Sequence, residues 1–364
     1  MRKLEYTLSF TTPAFLGNAE QQAQWRTPPF KALIRQWWRV AKSPSVTYDV
    51  FKLRAEESKL FGSASDTESF RSGRSRIAIR LSSWNRGAMD RWQASERVRH
   101  PEVGRDGMDI GADLYLGYGP LTSKGPDTAL STVRGVAVQR TAINPKAEIS
   151  RLTLGVPDED LVELRQVLQL IASFGTLGSR SRNGWGSLDI RPSDAQLVLS
   201  PLNRSSLEQW NVSRAFMDCL KLEWPHAIGT DENGPLVWKT KTQSADWRPI
   251  IKELARIKIQ FRTQFGFPSD GPSPSKRHVL AYPVTHHQVG AWGNQARLGN
   301  QLRFKVGIHQ NGRLEGIIFH LPCKMPDELV NKLSQSDQQL IRNNELAVWQ
   351  SVHKVLDKEA ARLQ

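Results

Sequence analysis

A chain of 364 residues with 39% hydrophobic residues and twelve tryptophans can bury more than one core and is too aromatic for wholesale disorder. Its 50 Lys and Arg outnumber 36 Asp and Glu, a formal net charge of +14 that points to a polyanionic partner, either nucleic acid or an acidic protein surface, or else to solubility in a basic proteome. No run approaches the ~18 apolar residues of a membrane span, the opening MRKLEYTLSF turns polar at once, and Cys219 and Cys323 are spaced neither as a disulfide framework nor as a metal knuckle. The expectation is a cytoplasmic protein with no membrane contact, no signal peptide, no metal and no cofactor.

Residues 4–10 (LEYTLSF) alternate as a strand that Thr11–Thr12–Pro13 ends. PPFKALIRQWWRVA (28–41) follows as a helix with proline at its start, Phe30, Leu33, Ile34, Trp37 and Trp38 on one face and Lys31, Arg35 and Arg39 beside it. SRIAIRLSS (75–83) is a strand with Ile77, Ile79 and Leu81 on one side and Arg74, Arg76 and Arg80 sharing the opposite parity. From about 84 to 132 periodicity fades in a glycine- and proline-rich excursion, either a gripping loop or an inserted subdomain. EISRLTL (148–154) resumes strand character, 158–174 is a helix with an acidic first turn, and SLDIRPS (187–193) is a returning strand. Strand–helix–strand, excursion, strand–helix–strand outlines an α+β fold, a ferredoxin-like or RNA-recognition-type sheet backed by two helices.

The second half holds expected helices over 204–221 and 247–262, the latter rich in basic residues, then a turn-rich break at 267–278. Strands are expected around 278–284, 300–309 and 313–320, the last two joined as a hairpin through Gln310–Asn311–Gly312, with a helical tail beyond Asp327. The domain expectation is 1–195, with an insertion around 84–132, and a diverged repeat of the same architecture over 196–364.

The most informative stretch is FGTLGSRSRNGWGSL, Phe174–Leu188. Gly175 stands where a helix-ending glycine belongs, which leaves Gly178, Gly184 and Gly186 around Arg180 and Arg182. Glycines permit positive φ and a close approach to peptide N–H groups, and alternate arginines can reach phosphate oxygens. Trp185 either caps the core under the turn or offers a face to a base. The turn is neither a P-loop nor a dinucleotide fingerprint, because it follows a helix instead of preceding one. A tight structural turn whose arginines are merely solvated is the competing reading.

This turn resembles the glycine-rich signature of RAMP proteins, the repeat-associated subunits of CRISPR effector complexes. Its G-x-x-G-S-R-x-R-x-G-x-G-S pattern falls on Gly175, Gly178, Ser179, Arg180, Arg182, Gly184, Gly186 and Ser187. LSFTTPAFLGNAEQQAQWRTPPFKALIRQWWRV resembles the opening of the first-subunit family of Cmr-type (type III-B) complexes, with T-P-x-F-x-G before a basic helix that ends in Trp37, Trp38 and Arg39. Leu60–Phe61–Gly62–Ser63 and the 75–83 strand fit the same order. LAYPV (280–284) and RLGNQLRFKV (297–306) are worn versions of later segments, with Gly299, Asn300 and Gln301 replacing the centre of an R-R-A-S-P-L-like pattern. The resemblance implies one or two RNA-recognition-type domains without independent enzymatic function, inside a ribonucleoprotein that carries a guide RNA and captures complementary target RNA beside other RAMP subunits.

Weighed residue by residue, the arginines of the turn are the first candidates for RNA contact, with Gly178, Ser179, Gly184 and Trp185 shaping the site. The helix residues Arg35 and Arg39 come next, with Arg26 in the preceding loop, and then Arg74, Arg76 and Arg80 in an arginine run that spans Arg71 to Arg105. A catalytic site is not expected. His286–His287 is the lone histidine pair, and Asp106, Asp109 and Asp113 are ordinary turn residues. The expected function is a noncatalytic RNA-binding structural subunit with guide and target RNA and other RAMP subunits as partners. The alternatives are a metal-independent endoribonuclease that processes precursor guide RNA through His286 or His287, and a protein-binding scaffold.

Overall fold

A computed structural model of the chain describes residues 1–63, 73–90, 92, 96–122, 137–138, 140–145, 147–266 and 273–364. Arg71, Arg91 and part of the expected 84–132 insertion lie outside the described residues.

The first half runs β1 (Arg2–Phe10), α1 (Thr27–Lys42), α2 (Val50–Phe61), β2 (Ala78–Leu81), a ribbon of β3 (Arg97–His100) and β4 (Met108–Gly111), and a short α3 (Ala112–Gly117). A small pair, β5 (Leu121–Thr122) and β6 (Ala137–Val138), precedes β7 (Ser150–Val156), α4 (Leu161–Phe174) and β8 (Leu188–Pro192). Its main sheet has the order β2-β7-β1-β8 with every neighbour antiparallel. With β3 to β6 set aside, that is the ferredoxin-like β-α-β-β-α-β path. The alternation in β1 sets the layers: Leu4, Tyr6, Leu8 and Phe10 are buried against α1 and α4, while Glu5, Thr7 and Ser9 take the other face. Pro28, in the first turn of α1, occupies a position whose amide has no partner inside a helix.

The second half opens with α5 (Arg204–Trp210), β9 (Ser213–Ala215), α6 (Phe216–Cys219), β10 (Ile228–Asp231) and β11 (Gly234–Pro235). It continues through β12 (Val237–Ser244), α7 (Trp247–Thr263), β13 (Leu302–Ile308), β14 (Leu314–His320), α8 (Asp327–Val330), α9 (Gln335–Glu359) and β15 (Ala361–Arg362). The order β13-β14-β12-β15, read with α7 and α9, repeats the topology of the first sheet. The fold is therefore a tandem of ferredoxin-like sheets with insertions.

Three local expectations differ. The single helix over 204–221 is broken where Asn211 takes a left-handed conformation (φ 50°) and the chain enters β9. The strand at 278–284 is instead a 3-10 turn, Lys276–Val279, followed by isolated bridges. Helix α2 is unforeseen; Asp49 starts it by accepting hydrogen bonds from the amides of Phe51 and Lys52.

In the second sheet, β13 and β14 are buried on both faces. Val237, Ile317, Phe319 and Leu321 join the core of the first half, where the Phe319 ring lies 4.8 Å from Phe174 and 6.0 Å from Trp37. Trp238, Phe304, Val306 and Ile318 point the other way into a core with Ile250, Leu254 and Trp349. Helices α1 and α4 are thus packed between two sheets, and each fully buried ring there contributes roughly 1.5–3 kcal/mol. Among the described residues no helix is long and apolar enough to cross a membrane.

Candidate nucleic-acid interface

The turn after α4 owes its shape to glycines. Gly178 and Gly186 have φ of +94° and +60°, and a β-carbon would lie 2.6 Å from the Phe15 carbonyl oxygen at the first and 1.9 Å from the Leu177 carbonyl oxygen at the second. These close approaches serve the protein itself. The amide of Ser179 donates to Phe15 O (2.9 Å), that of Gly186 to Pro13 O (2.9 Å) and that of Ser187 to Thr12 Oγ1 (3.0 Å). Gly184 and Gly186 are buried, whereas Gly178 is exposed, and the Gly184 carbonyl accepts from the hydroxyls of Thr12 and Ser187 at 2.8 Å each. The expectation that these glycines open peptide amides to a ligand is corrected accordingly: they dock the turn onto the 11–16 segment.

The same turn stitches the two sheets together. The Phe304 amide of β13 donates to Arg182 O (3.0 Å), and the Val306 amide donates to Ser187 Oγ (2.8 Å). Asn183 gives its Nδ2–H to Leu116 O (2.8 Å) and accepts from Lys258 Nζ (2.7 Å). Lys305 Nζ donates to the last carbonyls of α4, Ile171 O (3.1 Å) and Ala172 O (2.5 Å), and burial lowers its pKa to about 7. Trp185 is fully buried, with its ring 5.4 Å from Trp92 and Trp247 and 5.7 Å from Phe15. It is a core residue, and the reading of its face as a stacking platform for a base is withdrawn.

What the turn presents outward is charge. Arg180 and Arg182 are both exposed. Arg180, itself at φ +58°, donates Nε–H to Tyr118 O (2.6 Å) beside Gly119, and partial burial lowers its pKa. Burial, followed by the positive charges of Arg262 and Arg180, holds the Lys258 ammonium well below its usual range. Next to this cationic knot, Gly119 and Arg140 line an open groove of about 420 Å³ with Ala19, Glu20, Gln21 and Gln22. Arg26 lies near the same surface, its guanidinium donating to Gly17 O while its Nε is buried without a partner.

The other basic candidates sit elsewhere. Arg35 and Arg39 converge on Glu57 of α2, with Arg35 Nε to Oε1 at 2.6 Å and Arg39 Nε and Nη2 to the two oxygens at 2.7 Å. Burial pushes the Glu57 carboxyl up, but the hydrogen bonds from Arg39 and Arg35 outweigh it and hold the group below its ordinary value. Arg39 spends Nε and Nη2 on Glu57 and Arg35 its Nε, so the pair is tied to α2, although both side chains remain more than a third exposed. Arg76 is paired with Glu159 and Asp160. Arg74 and Arg80 are exposed.

Arg80 belongs to the face of the first sheet opposite α1 and α4. Register aligns Arg80, Thr153 and Glu5 in one row and Arg151, Thr7 and Arg191 in the next. Within these rows the face is polar and cationic, without the aromatic side chains on which RNA-recognition sheets stack bases. Arg151 and Arg191 escaped the sequence reading because each stands alone in its strand and only pairing brings them together.

His286 and His287 lie on an exposed turn closed by the His287 amide on Val284 O (3.1 Å). Asp109 and Asp106 serve the ribbon through their carbonyls, which accept from Arg97 and Arg99, while buried Asp113 accepts from the Trp92 indole and the Leu114 amide. Among the described residues no three His, Cys, Asp or Glu side chains cluster as metal ligands would.

The sequence matches the family model of the RAMP superfamily over residues 7–189. No curated protein matches it. The chain is similar to Cmr1 from Pyrococcus furiosus in its apo form, at 16% identity over 94% of this chain and 97% of that one, with a TM-score of 0.47. It is also similar to a chain of the type III-B Cmr-beta complex bound to cognate target RNA, at 10% identity over 97% of this chain and 100% of that one, with a TM-score of 0.47. A chain of a type IV-B CRISPR complex matches 55% of this chain and 94% of its own length at 10% identity, with a TM-score of 0.31.

Proposed function

Because this chain belongs to the RAMP superfamily, we propose that it is a noncatalytic, RNA-binding structural subunit of a type III CRISPR effector ribonucleoprotein. In this reading it holds guide RNA and helps capture complementary target RNA beside other RAMP subunits, with 1–195 and 196–364 as its two RAMP-like domains. The observation that carries the reading is the glycine turn, which presents Arg180 and Arg182 outward from a frame pinned to both sheets. Side chains on a rigid frame lose little further entropy when they engage a phosphate.

The formal charge of +14 supports a polyanionic partner. The polar, arginine-bearing sheet face supports contact with the sugar–phosphate chain in preference to the bases. Arg180→Ala/Arg182→Ala is expected to weaken binding of single-stranded RNA about tenfold or more and to flatten the slope of log K against log salt by about 1.4, at roughly 0.7 for each lost phosphate contact. Unchanged affinity and slope in the folded double variant would overturn this role for the turn. Incubation with repeat RNA, with and without a chelator, is expected to leave it intact; cleavage abolished by His286→Ala or His287→Ala would replace the proposal with guide-RNA processing.

A further inference from the structure

One cation in the second sheet has no internal explanation. Arg303, on β13, is 8% exposed, and its Nε is buried with no hydrogen-bond partner. Among the described residues no carboxylate pairs with it. Glu345, which bears on the neighbouring Cys323 thiol, accepts from the Met325 amide (2.7 Å), and Glu223 accepts from the Asp327 amide (3.1 Å) and faces Lys324. A second positive charge stands beside Arg303. Burial and then the Arg182 guanidinium lower its pKa to about 9.

Arg182 is held there by shape. Its guanidinium lies across Gly299 so closely that a β-carbon on that glycine would sit 1.7 Å from Nη1. Its carbonyl meanwhile accepts from the amide of Phe304, the residue after Arg303. Two like charges brought together, one of them out of water and unpaired, oppose folding unless an anion joins them. Here the inner guanidinium sits on the strand, and the outer one lies exposed over an exposed glycine. Such a pair can bind a tetrahedral oxyanion from two sides.

We infer that Arg182, laid across Gly299, and Arg303 together form a binding site for a single phosphate group of the RNA backbone. This rests on the RNA-binding reading above and adds a residue from the second sheet to it. One phosphate is then held jointly by the turn after α4 and by β13, so RNA binding draws on both halves of the chain. The depth of Arg303 favours a phosphate that projects from the backbone of a single strand, since a duplex groove would keep its phosphates at the rim.

The test uses the full chain and a fluorescein-labelled, mixed-sequence single-stranded RNA, read by anisotropy over a range of KCl, with urea unfolding of the free protein measured in parallel. Arg303→Met keeps the bulk and removes the charge. It is expected to weaken RNA binding roughly 10- to 100-fold, as for loss of charge-assisted hydrogen bonds, and to flatten the salt slope by about 0.7. The urea midpoint of the free protein should stay or rise, because an unpaired buried charge has been removed. Gly299→Ala is the second variant. The atoms nearest its new methyl are the flexible end of Arg182, so the fold should hold while RNA binding falls as it does for Arg182→Ala. A drop in urea midpoint for Arg303→Met would identify a structural arginine and overturn the inference. If Arg180→Ala/Arg182→Ala weakens RNA binding but Arg303→Met and Gly299→Ala do not, the phosphate site fails and the RNA-binding reading stands. If none of the variants changes RNA binding, both fail.

Discussion

Gly186→Ala tests whether the turn is built to dock against its own chain. Residue 186 has φ +60°, and an added β-carbon would lie 1.9 Å from the Leu177 carbonyl oxygen. Left-handed backbone costs an L-residue about 1–2 kcal/mol. Relief of the clash must displace a backbone carbonyl and disturb two short bonds, Leu177 N–H to Gly186 O (2.8 Å) and Gly186 N–H to Pro13 O (2.9 Å), each contributing about 1 kcal/mol. The sum is a destabilisation of about 3–4 kcal/mol. Gly293 supplies the control, with φ +55° and no atom within 4 Å of a β-carbon, so Gly293→Ala feels the backbone term alone. Urea denaturation followed by tryptophan fluorescence should therefore separate the two variants by about 2 kcal/mol, two hydrogen bonds' worth. Equal midpoints would show that the turn relaxes freely and would refute the docking argument.

Two further expectations concern buried charge. Glu57→Gln leaves Arg35 and Arg39, which are 37% and 43% exposed, without their carboxylate; the loss should be about 1–3 kcal/mol, discounted from a fully buried pair. The Glu57 carboxyl is held below its ordinary value in the fold, so its contribution is present above the unfolded carboxylate range and lost as pH falls through the folded pKa; the urea midpoints of wild type and variant should therefore converge in acid. His353 Nε2 lies 2.9 Å from His320 Nδ1, and burial lowers the His353 pKa to about 3. An unfolded histidine takes up its proton near 6.5, so stability is full above that pH and declines below it, by about 2 kcal/mol at pH 5 for His353 alone. His353→Gln should remove that share of the acid sensitivity when unfolding midpoints are compared between pH 7 and pH 5; an unaltered pH dependence would contradict it.

The first sheet was legible because one side of it is wet. The alternation in LEYTLSF and EISRLTL reports a buried face and an exposed one, and the register follows. The second sheet hides its repeat of the first topology because β13 and β14 are covered on both sides, so LRFKVGI and LEGIIFH carry buried Arg303, Lys305 and Glu315 where alternation would place solvent. The glycine turn was legible as a special backbone, but not what its glycines approach, since Phe15 and Leu177 meet it only after folding. Arg35 and Arg39 read as free cations because their partner Glu57 lies on α2, whose apolar pattern is weak enough to leave Phe51 75% exposed. Trp185 was ambiguous for a related reason, since a residue between two glycines carries no periodicity to say which way it points.

The placement of α1 and α4 between two sheets has a consequence for how the chain can be handled. Separated from residues beyond 200, the first half would bare Trp37, Phe174 and the open carbonyl end of α4, and the second would bare Phe319 and Ile317. Each piece would carry a sticky wound the size of the seam. Truncation libraries should yield soluble material only when both halves are retained, and a neighbouring subunit has the periphery to grip, because the seam itself is already taken.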